Sequence, residues 1–246
     1  AWHLANGLKA KGFTISRIWS RNIENARLLA GSCSAVACED ISSLSRETDL
    51  VIIAVSDKAI AGVAARLENF EGVLVHTAGS VPMDVLAGHA ENYGVLYPLQ
   101  TFTQGIPVEL DSVPFFTEAS SEQLLKKINR VALSLSAKVH FTDSRQRLML
   151  HTAAVFANNY TNLMYVISHD ILSRSGLPAD ALHPLMLETA RKAVSGNPIT
   201  VQTGPARRND TPTLEKHLAA LASMPEYAEL YKLLASIITQ KYNQPI

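Results

Sequence analysis

The spacing of apolar and polar positions changes once along this chain. Before about residue 143, short apolar runs alternate with segments of helical period; from Asp143 onward the period of 3.6 prevails. FTISRIWSR (13–21) is β-rich through Phe13, Ile15 and Ile18, and ends at Ser20-Arg21. NIENARLLAGS (22–32) predicts a helix, with Asn22 as N-cap, Ala26, Leu29 and Ala30 on one face, and Gly31 as stop. A short extended segment around Ala35–Ala37 follows. DLVIIAVSD (49–57) is a continuous apolar run, Leu50 to Val55, as in a strand buried on both faces. KAIAGVAARLENF (58–70) predicts a helix, and GVLVHTAGS (72–80) a second buried strand stopped by small residues. NYGVLYPLQ (92–100) and VPFFTEAS (113–120) predict two more strands, SEQLLKKINRVALSLS (121–136) an amphipathic helix and KVHFTD (138–143) a last strand.

Strands and helices alternating at this spacing imply an α/β class: a doubly wound, mostly parallel sheet. Such sheets take ligands at the carboxyl ends of their strands. The polar tails there are therefore candidate contacts: Ser20-Arg21, Ser56-Asp57, His76 to Ser80, and Tyr97 to Gln100. Sheets of this kind that bind NAD end the second strand with an acidic residue for the ribose diol. Here Ser20-Arg21-Asn22 stands instead, and a hydroxyl with a guanidinium suits a 2′-phosphate, favouring NADP (NADPH). The same arginine also fits an ordinary solvated turn.

The second half reads as all-α. Residues 143–176 predict one long helix with room for a kink, capped by Asp143 and ended by Gly176. Leu148, Val155, Leu163, Val166 and Ile167 are too apolar for a surface helix and predict burial on most sides. A second helix (178–196) is interrupted early by Pro184. A third (211–223) has Thr211 or Thr213 near its cap, and a fourth (225–242) has Pro225 in its first turn. The 197–210 tract is a loop. The division falls at 1–143 and 144–246, a change of period with no flexible linker, so two tightly docked domains are expected.

Charge and composition narrow the function. Lys plus Arg and Asp plus Glu both total 22, so no global field attracts nucleic acid or an anionic membrane. No apolar run approaches the roughly 20 residues that cross a bilayer. Cys33 and Cys38 fit no metal knuckle, no metal site is expected, and two free thiols suit a reducing cytoplasm. Residues 1–12 read as the tail of a helix, with Leu4 and Leu8 four apart and Gly12 as its stop; a first strand and glycine-rich turn are expected upstream of Ala1.

Three places can carry chemistry. On the long helix, His151, Val155, Asn159 and Asn162 fall at i, i+4, i+8 and i+11 and share one face under helical spacing. If that face meets the strand tips, His151 can donate or accept a proton, and the two amides can hold a carbonyl or hydroxyl. If it meets a second copy of the chain, the same groups are satisfied across a dimer interface. In 202–210, Arg207 and Arg208 can bind a carboxylate or phosphate, or lie in a plain surface turn. His76 ends a buried strand, and the small residues Thr77, Ala78 and Gly79 after it allow close backbone approach to a cofactor.

HTAGSVPMDVL (76–86), YGVLYPLQTF (93–102), FFTEASS (115–121), HTAAVFANNYTNLMY (151–165), ETARKA (188–193) and QTGPARRND (202–210) resemble the bacterial Rossmann-like proteins that carry a helical domain of unknown function and are grouped with NADP oxidoreductases. The wider group is similar to deazaflavin-dependent NADP oxidoreductases, pyrroline-5-carboxylate reductases and 6-phosphogluconate-type dehydrogenases. The resemblance implies a Rossmann-like domain followed by a C-terminal domain like that of the last group, which usually helps to build a homodimer. It also implies a glycine-rich turn just before Ala1. The chain departs from 6-phosphogluconate-type enzymes in carrying His151, with no Lys at the inward positions of that helix.

Together these readings give an NADP-dependent oxidoreductase moving a hydride between nicotinamide and a small carbonyl or imine substrate. Ser20, Arg21, Val55, Ser56, His76, Thr77, Ala78 and Gly79 are expected at the cofactor, Tyr97, Gln100, Arg207 and Arg208 at the substrate, and His151, Asn159 and Asn162 at the chemistry. The alternative is a non-catalytic NADP(H)-sensing or structural homodimer on the same scaffold.

Overall fold

The computed structural model describes residues 1–43, 48–67 and 70–243. It divides into two compact units, Ala1–Tyr160 and Thr161–Ile246.

In the first unit, α1 (Trp2–Ala10) buries Leu4 and Leu8 and stops at Gly12, whose φ of 88° places it in the left-handed region. β1 (Arg17–Trp19) leads into α2 (Ile23–Cys33), where the Asn22 side chain accepts from the Glu24 amide at 3.0 Å. Gly31, read as the stop, lies inside α2; Ser34, at φ 57°, ends it. The face carrying Leu29 and Ala30 continues to buried Cys33, and that packing carries the helix through the glycine. β2 (Val36–Cys38) pairs in parallel with β1 as a separate two-stranded sheet. Among the described residues the strands of the expected mostly parallel sheet thus group as a pair and a set of five.

The larger set has five strands: β3 (Leu50–Ile53), β4 (Phe70–His76), β5 (Ala90–Pro98), β6 (Phe115–Ala119) and β7 (Val139–Phe141), in that spatial order. All neighbours are parallel except β5 and β6. Between β3 and β4, the predicted 58–70 helix shrinks to α3 (Ile60–Ala64) with a 3-10 turn at each end; Glu68 and Asn69 lie outside the described residues. α4 (Glu122–Leu135) is capped by Ser121, which accepts from the Leu124 amide at 3.2 Å.

Two cores cover the two faces of this sheet. Consecutive residues of a strand point to opposite sides. Val75 accordingly packs with Leu4, Leu8, Leu96, Phe115 and Ile128, while Leu74 packs with Ile53, Ile60, Leu86 and Ala90. α1 and α4 thus cover one face and α3 the other, leaving the carboxyl ends of β3, β4 and β5 side by side.

From Asp143 the chain runs through α5 (Ser144–Ala154), a π-helical segment Val155–Tyr160 and α6 (Thr161–Arg174). Asp143 closes a capping box with Gln146. The second unit continues with α7 (His183–Ser195), α8 (Pro198–Val201), α9 (Thr211–Ala220) and α10 (Pro225–Asn243). The helix expected over 178–196 breaks just before Pro184, into a 3-10 turn (Ala179–Leu182) and α7, in whose first turn the proline's missing N–H is harmless. Asp210, not Thr211 or Thr213, caps α9, and the tract read as a loop contains α8. Leu148, Leu163 and Val166, expected inside, are 45%, 46% and 54% exposed in the single chain. No helix among the described residues is long and apolar enough to cross a membrane.

Candidate functional site

The carboxyl ends of β3, β4 and β5 gather several of the predicted residues. After β3, Val55 and Ser56 are exposed, and Asp57 accepts a hydrogen bond from the Ser80 hydroxyl, which ties the β3 tip to the turn after β4. In that turn Ala78 and Gly79 are buried and Thr77 is half-buried. His76, the last residue of β4, has no solvent exposure, and its Nδ1 accepts from the Ala78 amide at 3.2 Å. Burial first, and then the positive charge of Arg147, push its pKa from 6.5 down to about 4. The imidazole is therefore neutral and bends the chain back at the strand end. It serves as part of the turn.

α5 brings His151 to this edge. Its Nδ1 lies 3.1 Å from the Tyr97 hydroxyl at the end of β5, with the rings edge to face. The imidazole rests against Gly79: a Cβ there would come within 2.7 Å of His151 Cγ and Nδ1. Gly79 is thus required by close approach of a helix side chain to the strand-end backbone. Tyr97 is buried, and burial, followed by the nearby Asp57 carboxylate, raises its pKa, so it holds its proton.

A buried ion pair holds α5 in place. Arg147, one turn before His151 and fully buried, pairs with Glu118 of β6 and donates from Nη2 to the Val81 carbonyl at 2.5 Å. Ser144, in the first turn of α5, donates from its amide and hydroxyl to the same carboxylate, at 3.0 and 2.9 Å to Oε1. The Ser144 hydroxyl also accepts from the Met83 amide at 3.0 Å. Strand β6, the 81–83 turn and the start of α5 are therefore one polar cluster, and His151 is positioned by it.

Among the described residues, the other candidates of the first unit share no hydrogen bond with this cluster. Ser20, half-buried, and Arg21, exposed, end β1; among the described residues Arg21 has no ion-pair partner, and the Asn22 side chain is occupied in capping α2. Gln100 is exposed and accepts from the Thr101 amide at 2.8 Å. Asn159 lies in the π-helical segment and is exposed. Asn162, Arg207 and Arg208 belong to the second unit. There Arg207 donates to the Gln202 carbonyl and stacks over Tyr242 at 5.3 Å, while Arg208 is exposed. Among the described residues no group of three or more His, Cys, Asp or Glu side chains is placed to hold a metal ion.

The sequence reading overlooked Arg147, Glu118 and Ser144. The only signal was that Arg147 stands four residues before His151 and so shares its face of α5.

Residues 113–238 match the family described as a domain of unknown function, DUF2520. Among solved structures, “putative NADP oxidoreductase BF3122” from Bacteroides fragilis is 40% identical, covers 98% of this chain and 94% of its own, and superposes with a TM-score of 0.91. Protein TM1727 from Thermotoga maritima is 25% identical over 96% of each chain, with a TM-score of 0.76. A reductive aminase from Aspergillus terreus, solved with NADPH4, cyclohexanone and allyl amine, shares the fold at 16% identity, covering 97% of this chain and 88% of its own, with a TM-score of 0.69. No functionally curated protein matches the chain. The family match takes in β6, α5 and most of the second unit, and the Bacteroides relative takes in nearly every residue; the chain belongs to the DUF2520 family of Rossmann-like proteins with a helical C-terminal domain.

Proposed function

We propose that this protein is an NADP-dependent oxidoreductase acting on a small carbonyl or imine. The observation that carries the reading is His151, set against Gly79 and hydrogen-bonded to Tyr97 at the carboxyl edge of a parallel sheet. In doubly wound sheets that edge is the ligand-binding edge. The name of the Bacteroides relative supports NADP as the cofactor class. So does the donor set after β1, where Ser20-Arg21-Asn22 carries a hydroxyl, a guanidinium with no ion-pair partner among the described residues, and no acidic residue of its own.

In this reading residues 1–143 bind the cofactor and 144–246 complete the substrate site and the dimer. Ser20 and Arg21 hold the 2′-phosphate. Val55, Ser56 and the 76–79 turn lie along the cofactor, which supplies the hydride. His151 acts on the substrate's oxygen or nitrogen, and Gln100, Asn159, Asn162, Arg207 and Arg208 are candidates to orient the rest of it. The buried free thiols Cys33 and Cys38 suit work in the cytoplasm.

The test is a titration of the full-length protein with NADPH and with NADH, repeated on Arg21→Ala. Loss of a charge-assisted contact to the 2′-phosphate should weaken NADPH by about 1–3 kcal/mol and leave NADH unchanged. Equal losses for the two nucleotides reject the assignment of Arg21, and binding of neither rejects the cofactor.

A further inference from the structure

The Tyr97–His151 contact carries more than the pairing of two site residues. Tyr97 was expected to touch the substrate, yet its side chain is buried, with a residue exposure of 8%, whereas His151 is half-buried. A buried phenol must give its hydrogen to an acceptor. Among the described residues the hydrogen-bond partner of the Tyr97 hydroxyl is Nδ1 of His151, and none is bonded to Nε2. A phenol that donates to Nδ1 leaves the ring's own hydrogen on Nε2, because a neutral imidazole carries one donor and one acceptor.

We infer that Tyr97 is a positioning residue that fixes His151 as the neutral Nε2–H tautomer, so that the imidazole presents an N–H donor to the site. The ring is held from both sides: Tyr97 sets which nitrogen is protonated, and Gly79 leaves room for the ring against the turn. The groups around the pair agree. Asp57 lies near enough to Tyr97 to favour its protonated form; Arg147, from α5, opposes this more weakly. His76 is neutral on the neighbouring strand and brings no competing charge. A fixed N–H donor is suited to the oxygen of a carbonyl or the nitrogen of an imine, both acceptors. That last step rests on the proposed function; the tautomer assignment does not.

The experiment is 15N–1H correlation of the histidine side chains in the whole protein, with the His151 signals assigned by their loss in His151→Gln. At a pH where the imidazole is neutral, His151 should be predominantly in the Nε2–H form. In Tyr97→Phe, which keeps the ring and removes the hydroxyl, the ratio should move toward the mixture of a free imidazole. A proton found on Nδ1, or a ratio unchanged in Tyr97→Phe, overturns the inference whatever the enzyme does. Where turnover with NADPH is measurable, Tyr97→Phe should lower kcat by about tenfold with KM little changed. A raised KM at unchanged kcat would return Tyr97 to substrate contact, and absence of all turnover with the tautomer shift intact would count against the oxidoreductase reading alone.

Discussion

His76 shows how one buried side chain sets a pH response. Its folded pKa of about 4 lies below the ordinary 6.5, so the unfolded chain takes up a proton that the folded chain refuses. Stability from this residue is complete above about pH 6.5 and is lost as the pH falls toward 4. The loss approaches about 3 kcal/mol. Urea unfolding of the native protein and of His76→Asn should show it: Asn keeps an acceptor for the Ala78 amide but does not titrate. The variant's stability should fall less steeply between pH 6.5 and 4, and parallel curves would mean that His76 is not the source. At this scale the sequence was partly legible. His76, Gly79 and Tyr97 stand out as polar or small residues at the ends of apolar runs, and His151 as a polar residue on one face of a long helix. Their mutual contact was not legible, since Tyr97 and His151 are 54 positions apart and no spacing rule links a strand tip to a helix face.

At the scale of elements, α5 and its continuation explain what periodicity can and cannot deliver. The strands announced themselves because double-sided burial demands unbroken apolar runs, and Asn22 and Asp143 were readable as caps because their side chains complete the first turn. The π-helical turn was invisible: nothing in VFANNY marks it, and it widens the turn by about one residue. A face counted at 3.6 residues per turn from His151 therefore slips before Asn159. Arg147 was hidden for another reason, since an arginine on an amphipathic helix ordinarily reads as solvated surface. Removing it should be severe. Arg147→Met leaves the Glu118 carboxylate buried without its cation, which should cost about 3–5 kcal/mol in chemical unfolding. Adding Glu118→Gln should recover much of that. A single-variant loss below about 1 kcal/mol would show that the pair does not anchor α5.

For the whole molecule, the two units differ in what they bury. The first has two cores, whereas the buried apolar side chains of the second are Ala206 and Leu221 among the described residues. Leu187 and Val194 of α7 are 72% and 90% exposed, and Leu233 and Ile237 of α10 are more than half exposed. Apolar surface on this scale is covered in stable proteins, and the proposed homodimer would cover it with a second copy. Sedimentation should then find a dimer at micromolar concentration, with a melting temperature that rises with concentration. Leu187→Asp should shift the protein toward monomer and lower that temperature. A native protein that stays monomeric, with melting independent of concentration, would exclude the dimer. The helices themselves were legible in the sequence, but their apolar stripes say only that something covers them, and a single chain's pattern does not distinguish its own core from a neighbour's.

The grouping of the strands as a pair and a set of five has a consequence for the backbone itself. In a parallel strand both polar groups of one residue face the same side, and the next residue faces the other. The Asp49 carbonyl accepts from Val73 of β4, that of Ile53 from Thr77 just beyond it, and that of Ser16 from Val36 of β2. Leu50 and Ile52 on β3, and Arg17 and Trp19 on β1, therefore turn their peptide groups away from these partners, to a side where neither sheet supplies a ladder partner among the described residues. Along each of these short strands, residues whose peptide groups face the ladder alternate one by one with residues whose groups face away from it.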